Sequence, residues 1–264
     1  NIKKFLFRAV NFFLSRAFNI RIIKDYGLKT NKIGKKIFGN SKLTKSSDGY
    51  WKLSPMPTED ELNTYYESTY WSDRNGKDIG TNTRDLVHYQ IIQTYCSTFN
   101  KGNTFLNFGA GNGGVSHLAW LNGMDVINLE PSHIPQYYND RWNSFKSFSE
   151  VPDNSCDLFY SSHSLEHVQD LDSFLKDLKR VVKKSGIVFF EVPNSEIIMN
   201  NIFKNKIEIP HTYYFTKDFF KNLFDTVILN QCFDNGQRLT EKIGDWKNFA
   251  NDNGSVIRSI GKIS

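Results

Sequence analysis

Segments typical of strands and of helices alternate along the second half of the chain. Buried strands are predicted by short apolar runs, at 104–108, 125–129, 144–148, 156–160 and 187–192. Helices are predicted by apolar positions at helical spacing or by an N-cap residue, at 58–66, 84–99, 115–121, 170–182 and 217–224. The last two strand-like runs, 225–233 and 255–263, have no helix between them and should pair antiparallel. The pattern predicts an α/β fold with a seven-stranded, mostly parallel sheet that ends in an antiparallel C-terminal hairpin.

The first hundred residues have a different character. Residues 1–23 hold five basic side chains and no acid, and their apolar positions share one face of a helix. Such a basic amphipathic helix either lies on an anionic membrane surface or docks on its own domain or a second subunit, and we favour docking. Residues 24–50 are polar and indicate loops or a small irregular subdomain. We therefore divide the chain into an N-terminal extension, residues 1–100, and a main domain, residues 101–264.

An aromatic cluster closes the informative part of the extension. Thr58 and Glu61 have the spacing of a capping box, so a helix should begin at Thr58. Four aromatic residues follow, namely Tyr65, Tyr66, Tyr70 and Trp71. They either pack against the main domain or form a lid over a bound ligand.

A glycine-rich turn follows the apolar run at 104–108 and precedes a predicted helix. Glycine allows backbone N–H groups and a helix N-terminus to approach a nucleotide-like ligand. About twenty residues further on, the next apolar run ends in Glu130, which is placed to accept hydrogen bonds from ribose hydroxyls. Two patterns fit the turn: the dinucleotide GxGxxG uses Gly109, Gly111 and Gly114, whereas the methyltransferase GxGxG uses Gly109, Gly111 and Gly113. The turn alone predicts an adenosine-bearing cofactor and leaves its identity open.

Composition excludes several other classes. The 264 residues are 39% hydrophobic and 23% charged, as in an ordinary globular protein. A formal net charge of +5, with much of the excess near the N-terminus, gives no electrostatic case for nucleic-acid binding. The three cysteines are far apart and form no CxxC pair, which argues against a zinc-thiolate site or a disulfide framework. We therefore expect a cytoplasmic protein.

The order of four motifs decides between the cofactors. FLNFGAGNGG, VINLEPS, VPDNSCDLFYSSHSLEHV and LKRVVKKSGIVFFEVPN resemble the successive motifs of class I S-adenosylmethionine-dependent methyltransferases. HTYYFT resembles a signature of the subset that acts on small molecules, sugars and lipid-linked acceptors, and WKLSPMPTEDELNTYY resembles a segment of members from polysaccharide gene clusters. The resemblance covers about residues 102–233 and implies a Rossmann-like methyltransferase fold. A nicotinamide-dependent oxidoreductase remains a remote alternative, because no second nucleotide-binding repeat follows Val192.

The resemblance also implies which residues hold S-adenosylmethionine and its product S-adenosylhomocysteine. They are Asn107, Gly109, Ala110, Gly111, Gly113, Glu130, Pro131, Phe148, Ser161 and Ser162. Asn107 stands where the family usually has Asp, and an amide attracts the cofactor's ammonium group less strongly than a carboxylate does. We expect the affinity for the cofactor to be shifted and not abolished. Cys156 replaces an aromatic residue of the family, which we expect to be a core change without a mechanistic role.

Candidate catalytic residues gather after the strand at 156–160. His163, Glu166 and His167 would lie within one turn if this segment is helical, and His211 lies further along the chain. In one interpretation a histidine, His163 or His211, is the general base. In a second, all four residues ligate a metal, and three imidazoles with one carboxylate favour Zn, Mn or Fe over Mg. In a third, Glu166 and His167 are purely structural; we rank this interpretation first and the metal last.

We predict an S-adenosylmethionine-dependent methyltransferase that methylates an oxygen of a sugar or small polar group of a capsule or lipopolysaccharide precursor. The acceptor hydroxyl should meet His163, His167 or His211 under the aromatic lid of residues 65–71. The alternatives are methylation of a nitrogen or phosphoramidate group, or of a lipid or quinone. The expected partners are a small molecule or glycan precursor and no nucleic acid, with the chain as a monomer or homodimer. Residues 1–23 would supply any peripheral contact with the inner face of the membrane.

Overall fold

The computed structural model describes residues 20–22, 32–38, 41–66, 83–131, 139–200, 211–234 and 246–264. Most of the predicted N-terminal helix, residues 1–19, lies outside the described residues, as do Tyr70 and Trp71 of the aromatic cluster. Within the described ranges, no helix is both long enough and apolar enough to cross a membrane.

Strands and helices follow one another through the whole described chain. In order they are β1 (Ile20–Ile22), α1 (Lys32–Phe38), β2 (Lys42–Lys45), β3 (Tyr50–Ser54), α2 (Glu59–Tyr65), α3 (Thr83–Tyr95), β4 (Thr104–Phe108), α4 (Gly114–Leu121), β5 (Asp125–Leu129), β6 (Asn143–Phe145), β7 (Cys156–Ser162), α5 (Leu171–Val181), β8 (Val182–Pro193), α6 (Ser195–Asn200), β9 (Tyr213–Phe215), α7 (Lys217–Leu223), β10 (Thr226–Phe233) and β11 (Val256–Lys262). Short 3₁₀ helices add Asn139–Arg141, Phe148–Glu150, Leu165–His167 and Trp246–Phe249.

The larger sheet confirms the predicted fold class. Its seven strands lie in the order β10-β11-β8-β7-β4-β5-β6. The five from β8 to β6 are mutually parallel, whereas β11 pairs antiparallel with both β8 and β10. The two last strands therefore form the predicted hairpin at one edge of the sheet.

Both faces of this sheet are covered, so its central strands read as continuous apolar runs. Successive side chains of a strand point to opposite faces. Leu106 accordingly belongs to one core, which includes side chains of α5 and α7, whereas Phe105 belongs to the other, which includes side chains of α3 and α4. Residues 83–95 thus pack on the sheet although they precede its first strand.

A second, smaller sheet corrects the prediction for residues 24–50. Strands β1, β2, β3 and β9 pair antiparallel in that order, so the described part of this region is a regular sheet with a helix, neither a set of loops nor an irregular subdomain. Ile20–Ile22 is strand and not helix, which also corrects the C-terminal end of the helix predicted over 1–23. Leu43 lies opposite Leu53 in the register, and both are buried with α1 and α2 residues in a separate core. These strands are too short for their alternation to stand out in the sequence.

Several element ends also differ from the predictions. The strand predicted over 144–148 ends at Phe145, because Ser147 and Glu150 form a capping box that begins a 3₁₀ helix at Phe148. The helix predicted over 84–99 ends at Tyr95, and the one over 170–182 ends at Val181. The capping box at Thr58 is confirmed: its hydroxyl accepts the N–H of Glu61 at 3.3 Å.

A buried charge network joins the hairpin to the parallel strands. Glu191 on β8 lies directly opposite Arg258 on β11, and both side chains are almost completely buried. Arg258 Nε donates to Glu191 Oε2 at 2.6 Å. His88 of α3 contacts the same oxygen through Nε2 at 2.8 Å, and its Nδ1 lies 2.6 Å from the hydroxyl of Tyr160. The Glu191 carboxylate on β8 is therefore bonded to both β11 and α3.

Removing one partner of this network should unfold the protein more easily than removing two. We expect Arg258→Met to lower the free energy of unfolding by about 3–5 kcal/mol, because it leaves the Glu191 charge buried with fewer donors. The double variant Arg258→Met/Glu191→Gln should recover part of that loss, because the charge itself is gone. Urea denaturation followed by circular dichroism measures both values. Lys262→Met, at the less buried end of the same strand, is the control and should change stability little. A double variant less stable than Arg258→Met would contradict the charge argument.

Candidate active site

The glycine turn between β4 and α4 adopts a backbone conformation that requires glycine. Gly109, Gly111 and Gly113 have φ angles of +69°, +53° and +83°, in the left-handed region. Gly114 is the first residue of α4 and is not among the described residues with positive φ. A side chain on Gly109 would also collide with the Oγ of Ser164. The turn is therefore packed directly against the segment that follows β7.

Glu130 lies beside this turn. Because β4 and β5 are parallel neighbours, their carboxyl ends meet at the same edge of the sheet. The buried Glu130 carboxylate accepts the N–H of Gly111 at 2.8 Å. Pro131 follows it and is exposed, and Ala110 within the turn is buried. The predicted ribose-contacting residue and the glycine turn thus form one continuous surface.

Asn107 lies beneath the turn. Its Nδ2 donates to Ser116 Oγ at 2.9 Å, and Ser116 in turn donates to Asn128 Oδ1 at 2.6 Å. The amide therefore ties β4 to α4 and β5. Its Oδ1 is buried with no hydrogen-bond partner among the described residues. That orphaned acceptor belongs to the residue expected to face the cofactor's ammonium group.

The remaining predicted cofactor residues occupy two positions at the same edge. Phe148 stacks on Phe108, with ring centroids 5.3 Å apart and planes inclined by 17°. Ser161 and Ser162 end β7, the strand next to β4. Ser161 is completely buried, and Ser162 donates to Glu191 Oε1 at 3.2 Å.

His163 is held between two carboxylates. Its φ of +52° is unusual for a residue with a side chain and turns the ring back toward the sheet. Its Nε2 lies 3.2 Å from Glu191 Oε1, and its Nδ1 lies 3.4 Å from Glu166 Oε1. Burial lowers the pKa of His163, but the two carboxylates outweigh burial and raise it to about 9. His163 therefore carries a proton at neutral pH.

The other two histidines, His167 and His211, also lie close to Glu166. The His167 Nδ1 is 2.7 Å from the hydroxyl of Tyr66, and its ring meets the ring of His211 edge to face at 4.8 Å between centroids. Burial lowers the pKa of His211, and nearby His167 adds to the effect, so that its pKa falls to about 3. His211 is therefore neutral at physiological pH.

Glu166 is at the centre of this group. Burial alone would raise the pKa of its carboxyl group, but His163, His167 and His211 outweigh it and lower the pKa to about 2. Glu166, His167 and His211 each offer one ligand atom, and the three atoms lie within 4.8 Å of one another. The described structure thus brings together all four predicted catalytic residues. His163 lies between Glu166 and Glu191, whereas the rings of His167 and His211 contact each other. The arrangement can stabilise a positive charge or accept a hydrogen bond next to the glycine turn.

Sequence reasoning missed the contribution of Glu191, Arg258 and His88 to this site, and it did not predict the contact between Tyr66 and His167. Glu191 and Arg258 each interrupt an apolar strand, and a charge within such a run was the available signal. Their pairing depends on the register between β8 and β11, which the sequence does not contain. Tyr66 belongs to the predicted aromatic cluster, and its contact with His167 spans 101 positions. Tyr65, by contrast, is buried in the small core against Phe38.

Known proteins resemble this chain at two levels. A family model described as a methyltransferase domain matches residues 83–235, which is more than half of the chain. No curated protein matches the sequence. Among solved structures, 1,6-didemethyltoxoflavin-N1-methyltransferase from Burkholderia thailandensis, with 1,6-didemethyltoxoflavin and S-adenosylhomocysteine bound, has a TM-score of 0.55 and 13% sequence identity, covering 85% of this chain and 96% of that chain. The complex between the Haloferax volcanii Trm112 methyltransferase activator and a candidate methyltransferase has a TM-score of 0.50 and 16% identity, covering 78% of this chain and 98% of that chain.

The family match and the structural matches agree with the sheet order and with the position of the glycine turn. At these identities the solved structures establish the fold, which is the Rossmann-like fold predicted from the strand and helix pattern. The family match spans the glycine turn, Glu130 and the segment with His163, Glu166 and His167. The chain belongs to the methyltransferase-domain family and has the fold of class I methyltransferases.

Proposed function

We propose that this methyltransferase transfers the methyl group of S-adenosylmethionine to a hydroxyl of a sugar or other small polar group in a surface-glycan precursor. The observation that carries the proposal is the position of Glu166, His167 and His211. They lie in the segments after β7 and before β9, and Ser164 of the same turn packs on Gly109. A group suited to handling a proton is thus adjacent to the turn that would hold the methyl donor.

The cofactor half of the proposal depends on the turn and on Glu130. Gly109, Gly111 and Gly113 have φ angles at which a residue with a side chain would be strained. Because glycine has no side chain, it also leaves the backbone of the turn open to a ligand. Glu130 provides a carboxylate for ribose hydroxyls at the end of β5. Phe148 would flank the adenine, and Ser161 and Ser162 the methionine portion. The Asn107 amide, from beneath, supports the turn.

The reaction is an in-line displacement at the methyl carbon. The acceptor oxygen must come within about 3 Å of that carbon, and its proton must leave as the new C–O bond forms. The C–S bond breaks with its electron pair on sulfur, and S-adenosylhomocysteine is the product. Because His211 is neutral, its ring can accept a hydrogen bond from the acceptor hydroxyl, and the Glu166 carboxylate would balance the positive charge that develops as the proton leaves. His163, already protonated, positions Glu166 and does not take up a second proton.

Tyr66 extends the acceptor side of the site. It follows α2 of the smaller sheet and reaches His167 through its hydroxyl. His211 lies two residues before the start of β9, which belongs to the same sheet. The acceptor would therefore bind where the two sheets meet.

All three cysteines are free thiols, which fits the cytoplasm as the site of the reaction.

Calorimetry tests the cofactor. S-adenosylhomocysteine should bind the wild-type protein with micromolar affinity, and NADH should give no heat of binding. Glu130→Ala should weaken S-adenosylhomocysteine at least about 10-fold, because a charged hydrogen-bond acceptor for the ribose is lost. Asp125→Ala, at the exposed opposite end of the same strand, is the matched control and should bind like the wild type. Binding of NADH in place of S-adenosylhomocysteine would end the proposal.

Replacement of His211 tests the acceptor half. His211→Ala should lower kcat by about 10²-fold while leaving the affinity for S-adenosylhomocysteine unchanged, since the residue assists proton removal and does not hold the cofactor. His117→Ala removes an imidazole on α4, outside the cluster, and should keep wild-type turnover. Equal turnover of His211→Ala and the wild type would show that the cluster plays no part in the reaction.

The acceptor itself can be identified by product analysis. Nucleotide-activated sugars, amines and quinol precursors would each be incubated with the protein and S-adenosylmethionine. We expect a sugar to gain one methyl group as an ether, detected by mass spectrometry and resistant to mild base. Methylation of the amine or quinol alone would replace the proposed acceptor class. The His211→Ala variant serves as the enzyme control in each reaction.

A further inference from the structure

We propose that Arg180, near the C-terminal end of α5, is a positioning residue for the cofactor. Its guanidinium fixes the 3₁₀ turn Phe148–Glu150, so that the ring of Phe148 is held where the adenine of the cofactor packs against it. The hydrogen bonds of Arg180 belong to the described structure, whereas the contact between Phe148 and adenine rests on the proposed function. In this assignment Arg180 acts on the cofactor only through Phe148.

The guanidinium of Arg180 makes four hydrogen bonds, and two of them end on the main chain of this turn. Nη2 donates to the carbonyl oxygen of Phe148 at 2.7 Å, and Nη1 donates to that of Val151 at 2.8 Å. Nη1 also donates to Asp153 Oδ1 at 2.7 Å, and Nε donates to Asp177 Oδ1 at 3.0 Å. The two carboxylates orient the planar group, which then reaches both carbonyls at once.

The two ends of the 3₁₀ turn are held in different ways. Ser147 and Glu150 form a capping box at the N-terminal end, so this end is fixed by residues close in sequence. At the C-terminal end, the N–H of Val151 donates to the carbonyl oxygen of Phe148 at 3.0 Å. A single 3₁₀ turn has poor hydrogen-bond geometry, and its last carbonyls need partners from outside the helix. Arg180 supplies charged donors to this end.

The main chain of α5 holds the residues that follow the turn. The carbonyl oxygen of Arg180 accepts the N–H of Asn154 at 2.9 Å, and that of Val181 accepts the N–H of Ser155 at 3.0 Å. Val181 is completely buried, so the last turn of α5 is part of the core. The segment 148–155 is thus attached to α5 by the Arg180 side chain in its first half and by main-chain bonds in its second half.

The ring of Phe148 lies at the edge of the sheet that carries the glycine turn. It stacks on Phe108, which ends β4 and directly precedes Gly109. The ring of Phe174 on α5 meets it edge to face, with centroids 5.5 Å apart and planes inclined by 73°. Phe148 is only half-buried, so part of the ring remains accessible to a ligand. One helix, α5, therefore fixes both the ring of Phe148 and, through Arg180, its backbone.

The exposure of the ion pairs separates this role from a contribution to global stability. The Arg180 side chain is 28% exposed, and those of Asp153 and Asp177 are 67% and 37% exposed. Exposed ion pairs contribute little to the free energy of unfolding. Loss of Arg180 should therefore act on the position of the turn and leave the stability of the domain nearly unchanged. A binding group displaced by about 1 Å can lose most of its effect.

Competition titrations with three ligands test this role. S-adenosylhomocysteine and methylthioadenosine both carry adenine, whereas S-ribosylhomocysteine lacks it. Arg180→Met should weaken the two adenine-bearing ligands about 10-fold and leave the affinity for S-ribosylhomocysteine unchanged, because only the adenine contact is disturbed. A general disturbance of the domain would instead weaken all three ligands. Lys179→Met removes the neighbouring exposed charge from the same helix turn and, as the matched control, should bind all three like the wild type.

A double-mutant cycle with Phe148→Ala shows whether Arg180 acts through Phe148. Phe148→Ala should itself weaken the adenine-bearing ligands, and adding Arg180→Met should weaken them no further, since the ring that Arg180 positions is already gone. Hydrogen exchange of the ligand-free protein gives an independent measurement. The N–H of Val151 should exchange faster in Arg180→Met than in the wild type or Lys179→Met, whereas the N–H of Leu178 within α5 should keep its protection.

The outcomes separate this inference from the proposed function. Wild-type protein that binds S-adenosylhomocysteine, together with an Arg180→Met variant that keeps the full preference for adenine, would overturn the role of Arg180 and leave the proposed function in place. Additive losses in the cycle, or unchanged exchange at Val151, would also overturn it. Wild-type protein that binds no S-adenosylhomocysteine would refute the proposed function, and faster exchange at Val151 in Arg180→Met would then show that Arg180 holds the turn for a different purpose.

Discussion

A completely buried carboxylate must be surrounded by donors, and the donors of Glu191 come from three different parts of the fold. Arg258 approaches from β11, His88 from α3, and Ser162 and His163 from the end of β7. Burial alone would raise the pKa of Glu191, but His88, His163 and Arg258 hold it well below its usual range, so the charge persists. A shift of β11 by one residue would remove Arg258 from this pocket and leave the carboxylate partly unpaired. The same contact that fixes the hairpin register therefore also fixes where His163 lies in the site.

The fold and the site were predictable to different extents, for a physical reason. The parallel strands are buried on both faces, so local apolar runs identify them, and the glycine turn needs left-handed φ angles that Gly109, Gly111 and Gly113 alone provide locally. The smaller sheet escaped prediction because β3 pairs with β9, whose residues lie far along the chain. A three-residue strand carries too little alternation to be recognised by itself. The smaller sheet is stabilised by the small core around Leu43, Leu53 and Tyr214.

The acceptor half of the site shows the same division. Glu166 and His167 are neighbours in sequence, so their proximity could be expected, and the motif that contains them could be recognised. Tyr66 and His211 reach them only because the smaller sheet lies against the end of β7, through Thr212 and its bonds to the 3₁₀ turn. Of the aromatic residues expected to form a lid, Tyr65 is part of the small core and Tyr66 contacts the site. Two adjacent residues of this cluster thus have different surroundings, the small core for Tyr65 and the candidate site for Tyr66.

The distribution of charge explains why Glu166 differs from Glu191 although both are buried. Glu191 has the guanidinium of Arg258 and a hydrogen bond from Ser162, so its negative charge is compensated within the chain. Glu166 shares His163 with Glu191, and the Nε2 of His167 lies 4.0 Å from its Oε1. A single imidazolium cannot fully serve two carboxylates, and His211 is neutral because burial lowers its pKa to about 3. Glu191 is thus paired with a guanidinium, whereas the side chains near the Glu166 carboxylate are histidines. Glu166 therefore faces the imidazoles of His167 and His211 in the segment that packs on the glycine turn, which is where the proposed acceptor would bind.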